Sequence, residues 1–190
     1  MLNRGVFLDR DGTIIEEVGY LSRVDQFRFI DGAAKAVKSL NASGLKVVIV
    51  TNQAGVARGY LSETALQEIH CRMADMLRAQ SARLDAIYYC PHHPIEGVGP
   101  YRMECNCRKP KPGMLDRAAR ELNIDLSQSF VVGDKITDLE TGYAVGCKTV
   151  LVRTGYGLGS EEQLAGQPFQ PDYIADDVLD ASRWILEQNT

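Results

Sequence analysis

The chain lacks what would send it to a membrane. No apolar run approaches the ~18 residues that a bilayer span needs, and the stretch entered at Met1-Leu2-Asn3-Arg4 stops at Asp9. That is too short for the apolar core and cleavage site of a secretory signal. A basic excess is also missing, since 21 Lys and Arg face 25 Asp and Glu for a net charge of −4. No nucleic-acid partner held by a basic face is therefore expected. There is no internal repeat, no low-complexity tract and no linker-like segment. The five cysteines are an odd number, which argues against a closed disulfide framework and for metal ligands or inert thiols in a reducing compartment. The expectation is a cytoplasmic protein with no membrane partner, a monomer by default.

What is present is ordinary globular composition, 45% apolar and 24% charged over 190 residues. With ~150 residues per domain as a soft prior, 1–190 reads as one domain, long enough to bury a core without disulfides. Short apolar runs alternate with helical patterns. Strands are expected at Gly5-Val6-Phe7-Leu8-Asp9, at Leu45 to Val50, at Ala86-Ile87-Tyr88-Tyr89, at Ser129 to Gly133, at Lys148 to Val152 and near Tyr173-Ile174. Between them, Ala33, Val37 and Leu40 share a helical face ended by Gly44, and Leu66, Ile69, Met73 and Leu77 share another that starts near Ser62. A helix follows Pro112, one more is capped by Thr137 with Glu140 three residues on, and a last one starts near Asp177.

Val- and Ile-rich strands without polar alternation are buried on both faces. Their alternation with helices predicts an α/β fold with a three-layer, Rossmann-like, doubly wound parallel sheet. Ligands of such sheets lie beyond the carboxyl ends of the strands. There stand Asp9-Arg10-Asp11-Gly12-Thr13, Thr51-Asn52-Gln53, Cys90-Pro91-His92 and Gly133-Asp134-Lys135. Carboxylates two residues apart repel unless a cation or protons offset them. Magnesium suits the set, with Asp134 as a further oxygen ligand. Thr51 offers a hydroxyl and backbone amides to a phosphate, and Lys109 a positive charge.

These strand ends resemble the motifs of haloacid-dehalogenase-like phosphatases. Asp9-Arg10-Asp11-Gly12-Thr13 is similar to the first motif, Thr51 to the second, Lys109 to the third, and Gly133-Asp134 with Asp138 to the fourth, in the family's order. The resemblance implies that Asp9 attacks phosphorus and becomes an aspartyl-phosphate. It implies Asp11 as general acid and base, Thr51 and Lys109 as further catalytic residues, and magnesium held by Asp9, Asp11 (through its backbone carbonyl) and Asp134. Asp138 stays open between a magnesium ligand and a partner orienting Lys109.

The stretch from about 90 to 108 has no periodicity and is long for an idle loop. Cys90, His92, Cys105 and Cys107 supply three thiolates and an imidazole, a complement for zinc. His93 is an alternative to His92. Four filled positions make a structural zinc rather than a catalytic one. A zinc loop before Arg108-Lys109-Pro110, with no cap domain, narrows the resemblance to the family's heptose-bisphosphate phosphatases, with histidinol-phosphate phosphatases as the nearest competitor and a catalytically silent scaffold as a third reading. The narrower resemblance implies a small sugar bisphosphate as substrate, met by Glu17-Val18-Gly19-Tyr20, by Thr51, Asn52, Gln53 and Ala54, and by Arg108, Lys109 and Lys135. It also implies a place in heptose supply for lipopolysaccharide core or glycans. Arg108 is suited to grip a second, non-reacting phosphate with its guanidinium. Lys135 either reaches a phosphate or offsets Asp134, Tyr20 either touches sugar or packs, and His70 is expected to be a satisfied, partly buried imidazole.

Overall fold

Residues 2–188 are described by a computed structural model. Six strands form one parallel sheet: β1 (Gly5–Leu8), β2 (Lys46–Asn52), β3 (Ala86–Cys90), β4 (Phe130–Gly133), β5 (Lys148–Val152) and β6 (Tyr173–Ala175). Their spatial order is β3-β2-β1-β4-β5-β6. This is the doubly wound order, in which the sheet grows outward in both directions from a switch point between β1 and β4.

Alternation along the central strands splits the core. Val6 and Leu8 of β1 point to one face with Val47, Ile49, Phe130 and Val132, and are covered by α1 (Ala33–Ala42), α3 (Glu63–Ala79) and α7 (Val178–Glu187). Phe7, Val48, Val50 and Val131 point to the other, under Met114, Leu115 and Ala118 of α4 (Gly113–Leu122). Leu139 of α5 (Ile136–Ala144) covers Leu151 on that side. Three layers result, as expected from the run pattern.

Local chemistry sets several boundaries. The Ser62 side chain accepts a hydrogen bond from Ala65 N at 3.1 Å and starts α3, while Asp177 accepts from Asp180 N at 2.8 Å and starts α7. β2 runs two residues past the expected end because Thr51 and Asn52 pair with Tyr89 and Cys90 of β3. The Thr137–Glu140 cap is not formed. Helix α5 already begins at Ile136, and the carboxylate that reaches back is Asp138, accepting from Lys135 N at 3.0 Å. Two short helices were not anticipated: α2 (Ala54–Ala57) directly after β2, and α6 (Gly157–Gln163) after β5.

Candidate active site

Parallel strands deliver their carboxyl ends to one rim, so residues far apart in sequence meet there. Asp9 leaves β1 and Asp134 leaves β4, its neighbour. Lys109 arrives from the loop after β3. Carboxylate oxygens of Asp9, Asp134 and Asp138 lie within 4.8 Å of one another, all three side chains buried. The Lys109 ammonium donates to Asp9 Oδ1 and to the carbonyl of Val50, each at 2.8 Å, and stands 2.5 Å from Asp138 Oδ1. Its second oxygen accepts from Lys135 N, so Asp138 meets both the lysine and the start of α5.

Charge decides the protonation states. Burial works to raise the Asp9 pKa, but Lys109 and Lys135 outweigh it and hold this carboxyl below its ordinary value. Burial likewise opposes a charged Lys109, yet Asp138 and Asp9 more than compensate, so the ammonium is retained. Asp134 has Lys135 beside it but not Lys109, and the balance goes the other way. Burial, then the Asp9 charge, push its pKa up to about 7. One of its oxygens accepts from Tyr156 N at 2.9 Å. The other, Oδ1, is buried without a hydrogen-bond partner, its nearest cation being Lys135 Nζ at 3.4 Å. An orphaned carboxylate oxygen beside a second carboxylate is what a hard divalent cation fits.

The backbone is pressed against that group. Gly12 and Gly155 both have positive φ, and a Cβ on either would fall 2.1 or 2.3 Å from Asp134 Oδ2. Thr154 ties the two loops by donating to the carbonyl of Gly12 at 2.6 Å.

Asp11 faces a different environment. Its carboxylate accepts from Arg10 at 2.8–3.2 Å and from Gln53 Nε2 at 2.8 Å. The Gln53 amide also donates to Thr51 Oγ1 at 2.8 Å. Gln53 therefore braces Asp11 and Thr51, although it also faces the cavity.

That cavity, about 410 Å³, is walled by Asp9, Asp11, Glu17, Gly19, Tyr20, Asn52, Gln53, Ala54, Arg108, Lys109 and Lys135. Arg10, Leu21, Gly55, Leu61, Thr137, Asp138 and Tyr156 complete it; Leu21, Leu61, Thr137 and Tyr156 were not foreseen there. Of the expected residues, Thr51 and Asp134 lie buried behind the wall, and Val18 is exposed outside it. Val18 takes no part in the wall because its neighbour Gly19, whose N–H donates to Glu17 Oε1 at 2.7 Å, turns the chain. Tyr20 packs its ring edge on Tyr60 while facing the cavity.

The second cluster is the cysteine loop. Cys90, Cys105 and Cys107 Sγ atoms are 3.3–3.5 Å apart, and His92 Nδ1 lies 3.4 Å from Cys107 Sγ and 3.9 Å from that of Cys90. A tetrahedron of ~2.3 Å zinc–sulfur bonds has edges of ~3.8 Å, so the four atoms suit one zinc ion. The cluster takes His92 and not His93, whose Nδ1 accepts from Ile95 N and Glu96 N. The loop is tied to the first centre: Asn52 exchanges hydrogen bonds with the Lys109 backbone in both directions, at 3.0 and 3.1 Å.

Comparison with known proteins places this architecture. A family profile described as HAD-hydrolase-like matches residues 106–181. The D-glycero-beta-D-manno-heptose-1,7-bisphosphate 7-phosphatase of Pasteurella multocida is 51% identical over 138 residues, 73% of this chain and 74% of that protein. The chain belongs to the heptose-bisphosphate phosphatase family of haloacid-dehalogenase-like hydrolases. The Escherichia coli K12 relative of the same name is 46% identical over 134 residues, 70% of each chain. A solved D,D-heptose 1,7-bisphosphate phosphatase from B. bronchiseptica, complexed with magnesium and phosphate, superposes with a TM-score of 0.87 at 32% identity, covering 97% of this chain and 99% of that one. As in heptose-bisphosphate phosphatases generally, this chain is a phosphatase enzyme; none of its described helices is long and apolar enough to cross a membrane.

Two features of this family member escaped the sequence reading. The Gly155-Tyr156 turn that closes over Asp134 left one signal, a Thr-Gly pair just after an apolar strand. The contact between Arg10, read only as part of the first strand end, and His70 left none, since the two are 60 residues apart.

Proposed function

We propose that this chain hydrolyses the C7 phosphate of D-glycero-β-D-manno-heptose 1,7-bisphosphate and leaves the anomeric phosphate in place. The reading is carried by the Asp9–Lys109 pair at the switch point, in a chain half identical to phosphatases named for that substrate. Asp9, kept ionised, attacks phosphorus in line to form an aspartyl-phosphate, which splits one hard displacement into two easier ones. Asp11 protonates the departing sugar oxygen, then takes a proton from the water that opens the intermediate. Lys109, aimed by Asp138 and the Val50 carbonyl, offsets charge on the transferring group, and the Thr51 hydroxyl is placed behind it as a further phosphate contact.

Asp9, the Asp11 backbone carbonyl and Asp134 are the residues that would hold magnesium. When bound, magnesium supplies positive charge against the phosphoryl oxygens and relieves the repulsion between Asp9 and Asp134. Cys90, His92, Cys105 and Cys107 would hold a structural zinc. Arg108, on the cavity wall and donating to the His92 carbonyl at 3.1 Å, takes the distal phosphate. Glu17, Gly19, Tyr20, Asn52, Ala54 and Lys135 surround the sugar. We take the chain to act as one capless domain, a cytoplasmic monomer.

The test is kcat/KM, with magnesium, on the α and β heptose bisphosphates, fructose 1,6-bisphosphate and histidinol phosphate. The β heptose bisphosphate should lead by at least about tenfold. Faster turnover of histidinol phosphate transfers the chain to the competing activity.

A further inference from the structure

Arg10 is 1% exposed, yet it carries a full positive charge that arginine does not lose inside proteins. Each of its three nitrogens has a partner. Nε and Nη2 grip both oxygens of Asp11 at 2.8–3.2 Å, and Nη2 also donates to Gln53 Oε1 at 3.0 Å. The remaining nitrogen, Nη1, faces His70 Nε2 at 3.1 Å. Because the arginine can only donate, Nε2 must accept, and the imidazole is neutral with its proton on Nδ1. Burial, then the Arg10 charge, push the His70 pKa down to about 3, which agrees. The ring sits on the core-facing side of α3 with Leu66, Ile69 and Met73, and leans on the Tyr89 ring at 5.7 Å. Tyr89 is itself fixed by donating to Glu63 at 2.6 Å. His70 does not reach the cavity wall.

We propose that His70 is a positioning residue: by accepting from Nη1 it orients the guanidinium whose other edge aims the Asp11 carboxyl at the leaving oxygen. The inference rests on the reading of Asp11 as general acid. In that step the Asp11 proton moves to the bridging oxygen as its bond to phosphorus breaks and the bond from Asp9 to phosphorus forms. The sugar leaves as a neutral alcohol and Asp11 is left as carboxylate. Without the acceptor, a buried N–H of Arg10 is unpaired and the guanidinium turns to satisfy it, carrying Asp11 with it. Misplacement of a reacting group by ~1 Å costs on the order of 10²-fold.

A leaving group that needs no proton separates this role from a merely structural one. His70→Leu should lower kcat/KM about 10–100-fold on the sugar phosphate, whose alkoxide leaves poorly. On p-nitrophenyl phosphate the loss should stay below about threefold, because kcat/KM there stops at formation of the aspartyl-phosphate. His70→Gln, which restores an acceptor, should recover the sugar phosphate rate to within about fivefold. Equal losses on both substrates, no loss on either, or a glutamine variant as poor as leucine would overturn the proposal. If the leucine variant does not fold, His70→Asn, which withdraws the acceptor by one methylene, is compared with His70→Gln in the same way. Asp11→Asn is measured alongside. Absence of the leaving-group split in that variant refutes the general-acid reading itself; its presence there without a split in the His70 variants refutes only the inference about His70.

Discussion

The carboxylate centre and the thiol cluster are neighbours with opposite constructions. Asp9 and Asp134 sit directly at the ends of adjacent buried strands, so sheet register sets their separation before any side chain contributes. Lys109 is then fixed by the Val50 carbonyl and two carboxylates. The thiol cluster has one ligand on a strand, Cys90, and three on a segment whose only described regular structure is a turn of 3₁₀ helix at Gly99–Tyr101. Around it Ile95 and Val98 are exposed rather than packed. A sheet holds reactive groups rigidly where strands are available. Where they run out, four ligand-type side chains converge on one point in place of a core. The two devices are linked in series, since Cys107 is two residues from Lys109.

The sharpest way to break the comparison is to disable one centre without the other. Asp9→Asn keeps shape and burial but removes the nucleophile, so turnover should fall by at least ~10⁴-fold with the fold and bound zinc intact. Residual activity above about one per cent would remove the covalent step. Cys107→Ser strikes the other centre. It should release zinc and cost residues 90–108 their amide-exchange protection. It should lower kcat/KM about 10–100-fold through Lys109, a displacement effect, while β1 and β4 stay protected. A protein that never carries stoichiometric zinc defeats this prediction.

The smallest effect concerns Asp134. Its pKa of about 7 in the folded, metal-free protein exceeds the ~3.9 of an unfolded aspartate. Between those values the folded state binds the extra proton, so this contribution to stability falls as pH rises from 4 to 7. Thermal unfolding of the metal-free protein should therefore lose part of its downward slope over that range in Asp134→Asn. At pH 8 magnesium should raise the unfolding midpoint of the parent by several degrees and leave the variant unmoved. An unchanged slope together with an unchanged magnesium response contradicts the assignment of Asp134.

Much of this was legible because it is local. Runs such as Val47-Val48-Ile49-Val50 announce strands buried on both faces, and polar residues just after them mark the rim. Cys90-x-His92 and Cys105-x-Cys107 announce ligands through residue type alone. The helix cap expected at Thr137 lies two residues earlier, at Lys135, and the reason is instructive: Thr137 is a good cap by type, but Asp138 is the residue whose carboxylate reaches Lys135 N and also meets Lys109.

The amino-acid order by itself determined the layered α/β class, the strand-end positions of Asp9 and Asp134 and the four zinc-type ligands, because periodicity and residue chemistry act over a few neighbours. The tertiary structure alone decided that Arg10 meets His70, that Gly12 and Gly155 close over Asp134, and that Asp138 meets the lysine. Those contacts join residues as far as 60 and 142 positions apart, and only the strand order brings them within reach.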